Sequence, residues 1–144
     1  MQFTAYKNRA YTGGRVSVHR NLHRDAWSVR ACDAPHKGKI IGYASSIALR
    51  DAEFVVQPGG QERARKTRTR NVHAFIIGMP LPVVLGDWAE FGWAQRITYN
   101  PFRHDHFVEA VTGHSVRYAA HVNCQADMAC YATQINFVCD REAA

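Results

Sequence analysis

The sequence predicts an α+β fold: a single compact domain over residues 1–144, dominated by a mostly antiparallel β-sheet with one or two short helices. Three observations predict it. Apolar and polar residues alternate with period two in several short stretches, those stretches are rich in β-branched and aromatic residues, and Gly, Pro, Asn and Asp separate them.

Residues 1–13 read as a flexible polar lead ending in Thr12-Gly13-Gly14. Arg15-Val16-Ser17-Val18-His19 then alternates. Extending that phase puts Val16, Val18 and Leu22 on one face and Arg15, Ser17, His19, Asn21 and His23 on the other. Asp25 closes a turn into Ala26–Ala31, completing an antiparallel hairpin. A loop through Asp33, Pro35 and Gly38 leads to Lys39–Ala44. Ile47–Arg50 and Glu53–Val56 continue the pattern, and these segments read as two more strands joined by a tight connection. Pro58-Gly59-Gly60 interrupts, and Gln61–Lys66 has the helix formers for one or two turns.

Val72–Ile77 is almost continuously apolar, as a strand buried on both faces is, and is the expected central strand. Met79–Pro82 reads as a turn and Asp87–Trp93 as an aromatic segment without an assigned element. Arg96–Tyr99 is a strand stopped by Asn100-Pro101. His106–Val111 and Ser115–Val122 flank Thr112-Gly113-His114 as a second hairpin, and the alternation of Tyr131, Thr133, Ile135 and Phe137 marks a last strand. No linker or internal repeat is visible.

Composition narrows the function classes. A hydrophobic fraction of 47% with 21% charged residues excludes a disordered tail protein. The amino terminus has no apolar run after its positive charges, so no signal peptide is expected. The weakly polar stretch Ala74–Gly86 is broken by Pro80 and Pro82 and falls short of the roughly 20 apolar residues that cross a bilayer. The expectation is a cytoplasmic protein of a bacterial host cell, with no membrane partner. Cys32, Cys124, Cys130 and Cys139 are expected to be reduced, buried thiols, since their spacings fit no common zinc pattern.

Charge is uneven along the chain. Residues 1–73 hold 14 Lys/Arg against 5 Asp/Glu, a net +9, whereas residues 74–144 hold 4 against 7, a net −3. Such a basic half suits a phosphate-bearing partner, nucleic acid or a phosphorylated nucleotide.

Two clusters carry that reading. Arg63, Arg65, Lys66, Arg68 and Arg70 run into Asn71 and His73, and guanidinium forks match phosphate oxygens. The second is the strand face with Arg15, His19 and His23, flanked by Arg20 and Arg24. Two imidazoles beside arginines are what metal-independent phosphodiester cleavage needs, one as base and one as acid, so His19, His23 and His73 are the acid/base candidates. His104-Asp105-His106 has alternate spacing for zinc but lacks a third ligand at a diagnostic distance, so no metal is assigned, nor any cofactor. Trp88, Phe91 and Trp93 suit core packing, a stacking platform for bases or an exposed patch for a protein partner.

Arg20-Asn21-Leu22-His23, Trp27-Ser28-Val29-Arg30, Gly38-Lys39-Ile40-Ile41-Gly42 and Arg70-Asn71-Val72-His73-Ala74-Phe75 resemble an uncharacterised family of short phage- and plasmid-encoded proteins. Met79–Trp93 reads as a hydrophobic insertion relative to that pattern. The resemblance implies a role inside a bacterial cell and supplies no activity or site residue. The combined expectation is a basic protein that binds RNA, another nucleic acid or nucleotide phosphate, with metal-independent ribonuclease chemistry in view. Its rival is a non-enzymatic mobile-element accessory protein, a homo-oligomer in that reading, that sequesters a nucleotide signal or inhibits a host defence protein.

Overall fold

A computed structural model of the chain describes residues 3–82 and 94–138. Ten strands join in one sheet: β1 (Thr4–Ala5), β2 (Val16–Asn21), β3 (Ala26–Ala31), β4 (Ile40–Ala44), β5 (Ile47–Val56), β6 (Ala74–Pro80), β7 (Gln95–Thr98), β8 (Val108–Glu109), β9 (Val116–Cys124) and β10 (Cys130–Phe137). Their spatial order is β1-β4-β3-β2-β6-β5-β9-β10-β7-β8. Each of these pairings is antiparallel. Helix α1 (Pro58–Thr67) joins β5 to β6 and is the one helix among the described residues. Strand dominance therefore matches the expectation, while the helical share is smaller than an α+β label suggests.

The sheet cannot be flat. Trp27 on β3 donates its Nε1–H to the carbonyl of Gln125, just past β9, at 2.8 Å. Three strands separate β3 from β9, which in a flat sheet would hold them about 19 Å apart at roughly 4.8 Å per strand. The sheet curls until its halves meet around one core. Val16, Val18, Val29, Ile41, Ile47, Leu49, Ile97, Val116 and Val122 are buried there. Each contributes roughly 1.5–3 kcal/mol relative to exposure.

The β2–β3 hairpin forms as its alternation requires, in register from Val16↔Ala31 to Asn21↔Ala26, with Asp25 at φ 51 in the turn. β6 lies fifth in the order, flanked by β2 and β5, and carries buried Phe75 and Ile76 on opposite faces. Residues 47–56 form one strand whose register shifts between Arg50 and Glu53, where Asp51 adopts φ 51. In the lead, Phe3 enters the core and Thr4 and Ala5 pair with β4.

Three elements depart from expectation. Pro58-Gly59-Gly60 does not interrupt the chain but opens α1, because Pro at the first helical position lacks only an N–H that would be unpaired there anyway. Met79 and Pro80 extend β6 instead of turning, held by pairing with Arg50 and Leu49. The second hairpin shrinks to a single bridge, Val108↔Ser115. Glu109 is the reason: its carboxylate accepts from Val111 N–H, Thr112 N–H and Thr112 Oγ1, which closes a capped turn and releases β9 to pair with β5 and β10. The aromatic segment with Trp88, Phe91 and Trp93 lies outside the described residues, as does Cys139. No described helix is long and apolar enough to cross a membrane.

Candidate functional site

Where the curled sheet opens at one end, β2, the start of β6, β7 and the start of β10 surround a cavity of about 640 Å³. That volume is in the range of small-molecule sites. Strand alternation decides what lines it. Val18 and Arg20 share the inward face of β2, and Trp27, Ile76 and Ile97 come from β3, β6 and β7. The interior is thus apolar and almost wholly buried.

The mouth has a different chemistry. Asn21 ends β2 by accepting the backbone N–H groups of His23 and Arg24 on its Oδ1, which turns His23 out of the strand phase and to the cavity rim. Opposite, α1 terminates at Arg68, whose φ of 54 is left-handed and whose N–H caps the Ala64 carbonyl, so the chain doubles back through Arg68–His73 along the rim. Arg20, His23, Arg68 and Arg70 are exposed there. Among them stand Leu22, Val72 and Phe102, exposed by 56%, 49% and 54% despite being apolar.

One wall is a polar relay. His73, 6% exposed, brings Nδ1 to Asn71 O at 3.1 Å and Asn71 Oδ1 at 3.2 Å, and Nε2 to Tyr99 Oη at 2.8 Å. Gln61 on α1 shares its two amide hydrogens among Tyr99 Oη at 3.1 Å and the carbonyls of His104 and Asp105. Burial raises the Tyr99 pKa, against the opposing Gln61 hydrogen bond and Arg65 charge, so the phenol stays neutral.

The residues singled out from sequence divide in two. His19, Arg20, His23, Arg68, Arg70, Asn71 and His73 all border this one cavity. His19 does so along the strand. Alternation sends its ring to the other face, edge-on to Phe75 at 5.7 Å, and Phe75 lies outside the core cluster. There His19 is buried, its Nδ1 has no hydrogen-bond partner among the described residues, and desolvation and Arg30 push its pKa down to about 4.

The remaining basic residues are committed elsewhere. Arg15 donates to the Asp51 and Ile77 carbonyls, and Arg24 stacks on Tyr43 at 4.2 Å. Arg65 is held by the Pro101 and His104 carbonyls and by Asp105. Lys66 pairs with Glu62, and Arg63 is exposed on α1 away from the cavity lining. His104 accepts the Asn100 N–H on Nδ1 and gives its own N–H to the Asn100 carbonyl, which closes the turn over 100–104 and leaves the His104-Asp105-His106 triplet outside any strand. No described group of three His, Cys, Asp or Glu residues could hold a metal ion. Tyr99, Gln61 and Phe102 were not legible as site residues, since each looks like an ordinary strand-end, helix or turn residue.

The family model of the Mycobacterium phage L5 gene 82 protein matches residues 9–132. The chain belongs to that family. The matched span includes every residue that lines the cavity. The gene 82 protein of mycobacteriophage L5 is 35% identical over 104 residues, covering 68% of this chain and 79% of that one. No solved structure matches significantly. The resemblance to phage proteins noted in the sequence is thereby shown, and the family brings no activity with it.

Proposed function

We propose that the protein is a phage accessory protein that binds and sequesters a small phosphorylated ligand with a flat apolar body, a nucleotide, in this cavity. One observation carries the reading: Arg20, His23 and Arg70 border one cavity of about 640 Å³ together with the exposed apolar side chains of Leu22, Val72 and Phe102. Apolar surface takes the base, and guanidinium groups take the phosphate. The dispersal of Arg15, Arg24 and Arg65 into internal contacts weighs against an extended nucleic-acid track.

Native mass spectrometry of protein purified from phage-host lysate, followed by calorimetric titration with nucleoside monophosphates, tests it. A defined nucleotide mass and saturable one-to-one binding are expected. Arg70→Ala should weaken binding by about 10- to 100-fold, the usual worth of one charged hydrogen bond. A stoichiometric host protein, or no binding by any nucleotide, would overturn the reading.

A second reading, metal-independent phosphodiester cleavage, is favoured by one specific observation. His23 and His73 border the same cavity as Arg20 and Arg70. Labelled RNA incubated with the protein in EDTA should then be cut, and His23→Ala should abolish cutting. Intact RNA removes this reading and leaves the binding one.

A further inference from the structure

The β9–β10 hairpin sets two thiols against each other. Cys124 ends β9 and Cys130 opens β10, and the register pairs them directly across the ladder. The loop between them fixes what kind of pair they are. Met128 N–H bonds to the Gln125 carbonyl, Met128 takes φ 66, and Gln125 N–H bonds to the Ala129 carbonyl at 2.9 Å, the geometry of a tight three-residue hairpin loop. Gln125 and Ala129 therefore form a hydrogen-bonded pair. The alternation of an antiparallel ladder then makes Cys124 and Cys130 a non-hydrogen-bonded pair, with Cα atoms about 4.5 Å apart and side chains on one face. That separation lies inside the roughly 4.4–6.8 Å that a disulfide spans.

The surroundings of the two thiols differ. Both are buried, but Cys130 lines the cavity and Cys124 does not, so a reagent in the cavity meets Cys130. The Cys130 side chain hydrogen-bonded to it and burial push the Cys124 thiol well up, while the Arg20 charge opposes them. Arg20 thus acts on the thiols from the cavity wall, and with Arg68 and Arg70 at the mouth it favours an anionic reagent.

We propose that Cys130 and Cys124 form a dithiol site that reduces low-molecular-weight, carboxylate-bearing disulfides entering through the cavity, and that ends as a Cys124–Cys130 disulfide. Cys130 gives its proton to water and its Sγ attacks one sulfur of the reagent. A mixed disulfide forms as the reagent's S–S bond breaks and one thiolate leaves. Cys124 Sγ, its proton passed to solvent, then attacks Cys130 Sγ and displaces the second thiolate. Two cysteine thiols are oxidised, one external disulfide is reduced, and the two released thiolates take up the two protons. This chemistry runs whichever ligand the cavity takes.

Oxidised glutathione is the probe, applied to the full chain carrying Cys32→Ser and Cys139→Ser so that Cys124 and Cys130 are the remaining thiols. The protein should lose the mass of two hydrogens and release two glutathiones. Cleavage before Asp127, which stands between the two cysteines, should leave the flanking peptides joined until a reductant is added. Cys124→Ser should stop at one bound glutathione, and Cys130→Ser should stay unmodified. The joined peptides come from the protein with both thiols, so that result stands even where a further Ser variant fails to fold. A native protein that resists oxidised glutathione while its urea-unfolded chain reacts overturns the proposal. So does an adduct that never resolves, or a Cys130→Ser variant, folded by circular dichroism, that is modified on Cys124.

Discussion

Burial and the neighbouring Arg30 guanidinium push the His19 imidazole down to about 4, from about 6.5 in an unfolded chain. The unfolded state therefore binds the extra proton first as pH falls. The native state loses stability between about pH 6.5 and 4 and is fully stabilised by this group above that window. At pH 5 the loss is about 2 kcal/mol relative to pH 7.5. Glu109 overlaps only the acid end of that window. Burial raises its pKa, but the three donors from Val111 and Thr112 outweigh that and hold it below 4.5, so its contribution is present above about pH 4.5 and is lost as pH falls from there. Urea unfolding of His19→Phe at the two pH values should show a markedly smaller drop than the parent, since Phe keeps the edge contact with Phe75 and removes the orphaned Nδ1. An unchanged drop would assign the acid sensitivity to another group. The two-face alternation of β2 was readable from Arg15 to His19. What covers the second face was not, because Phe75 reaches it from a strand distant in sequence by the pairing of β2 with β6.

Among the elements, α1 shows how local residue choice answers a distant contact. Gly59 and Gly60 occupy its first turn and differ in surroundings: a Cβ at Gly59 meets nothing within 4 Å, whereas one at Gly60 would collide with Cβ of His73 and crowd Asn71 Oδ1. Gly59→Ala should therefore stabilise the protein by about 0.5–1 kcal/mol through lost unfolded-state freedom. Gly60→Ala should destabilise it by about 1–3 kcal/mol, since the helix must move off the relay or His73 must leave it. Denaturant midpoints of the two variants decide the matter, and equal effects would show that α1 is not seated on His73. The sequence marks Pro-Gly-Gly as a break because composition cannot distinguish a helix opening from an interruption. The same limit applied at His106–Val122. There the spacing of a hairpin was present, and one carboxylate, Glu109, diverted the strand to other neighbours.

On the scale of the whole molecule, cavity and curl have one origin. Strands far apart in the order line the same space only because the sheet rolls over, and Trp27 marks the closure: it spans from β3 to Gln125 and its ring lines the cavity. Local alternation reveals strands but carries no information on how far a ten-stranded sheet rolls, so the meeting of Arg20 with Arg70 and His73 was not decidable from sequence. Trp27→Phe isolates the polar part of this closure. The substitution keeps an aromatic ring in the core and leaves the Gln125 carbonyl without its indole donor, at a cost of about 1–3 kcal/mol. Because the cavity wall shifts with the seam, nucleotide affinity should fall in the same variant, although Trp27 offers the phosphate nothing. Equilibrium unfolding and calorimetric titration on one preparation separate the outcomes. Loss of stability with full affinity would mean that the mouth is organised by α1 and β6 alone, independently of the roll of the sheet.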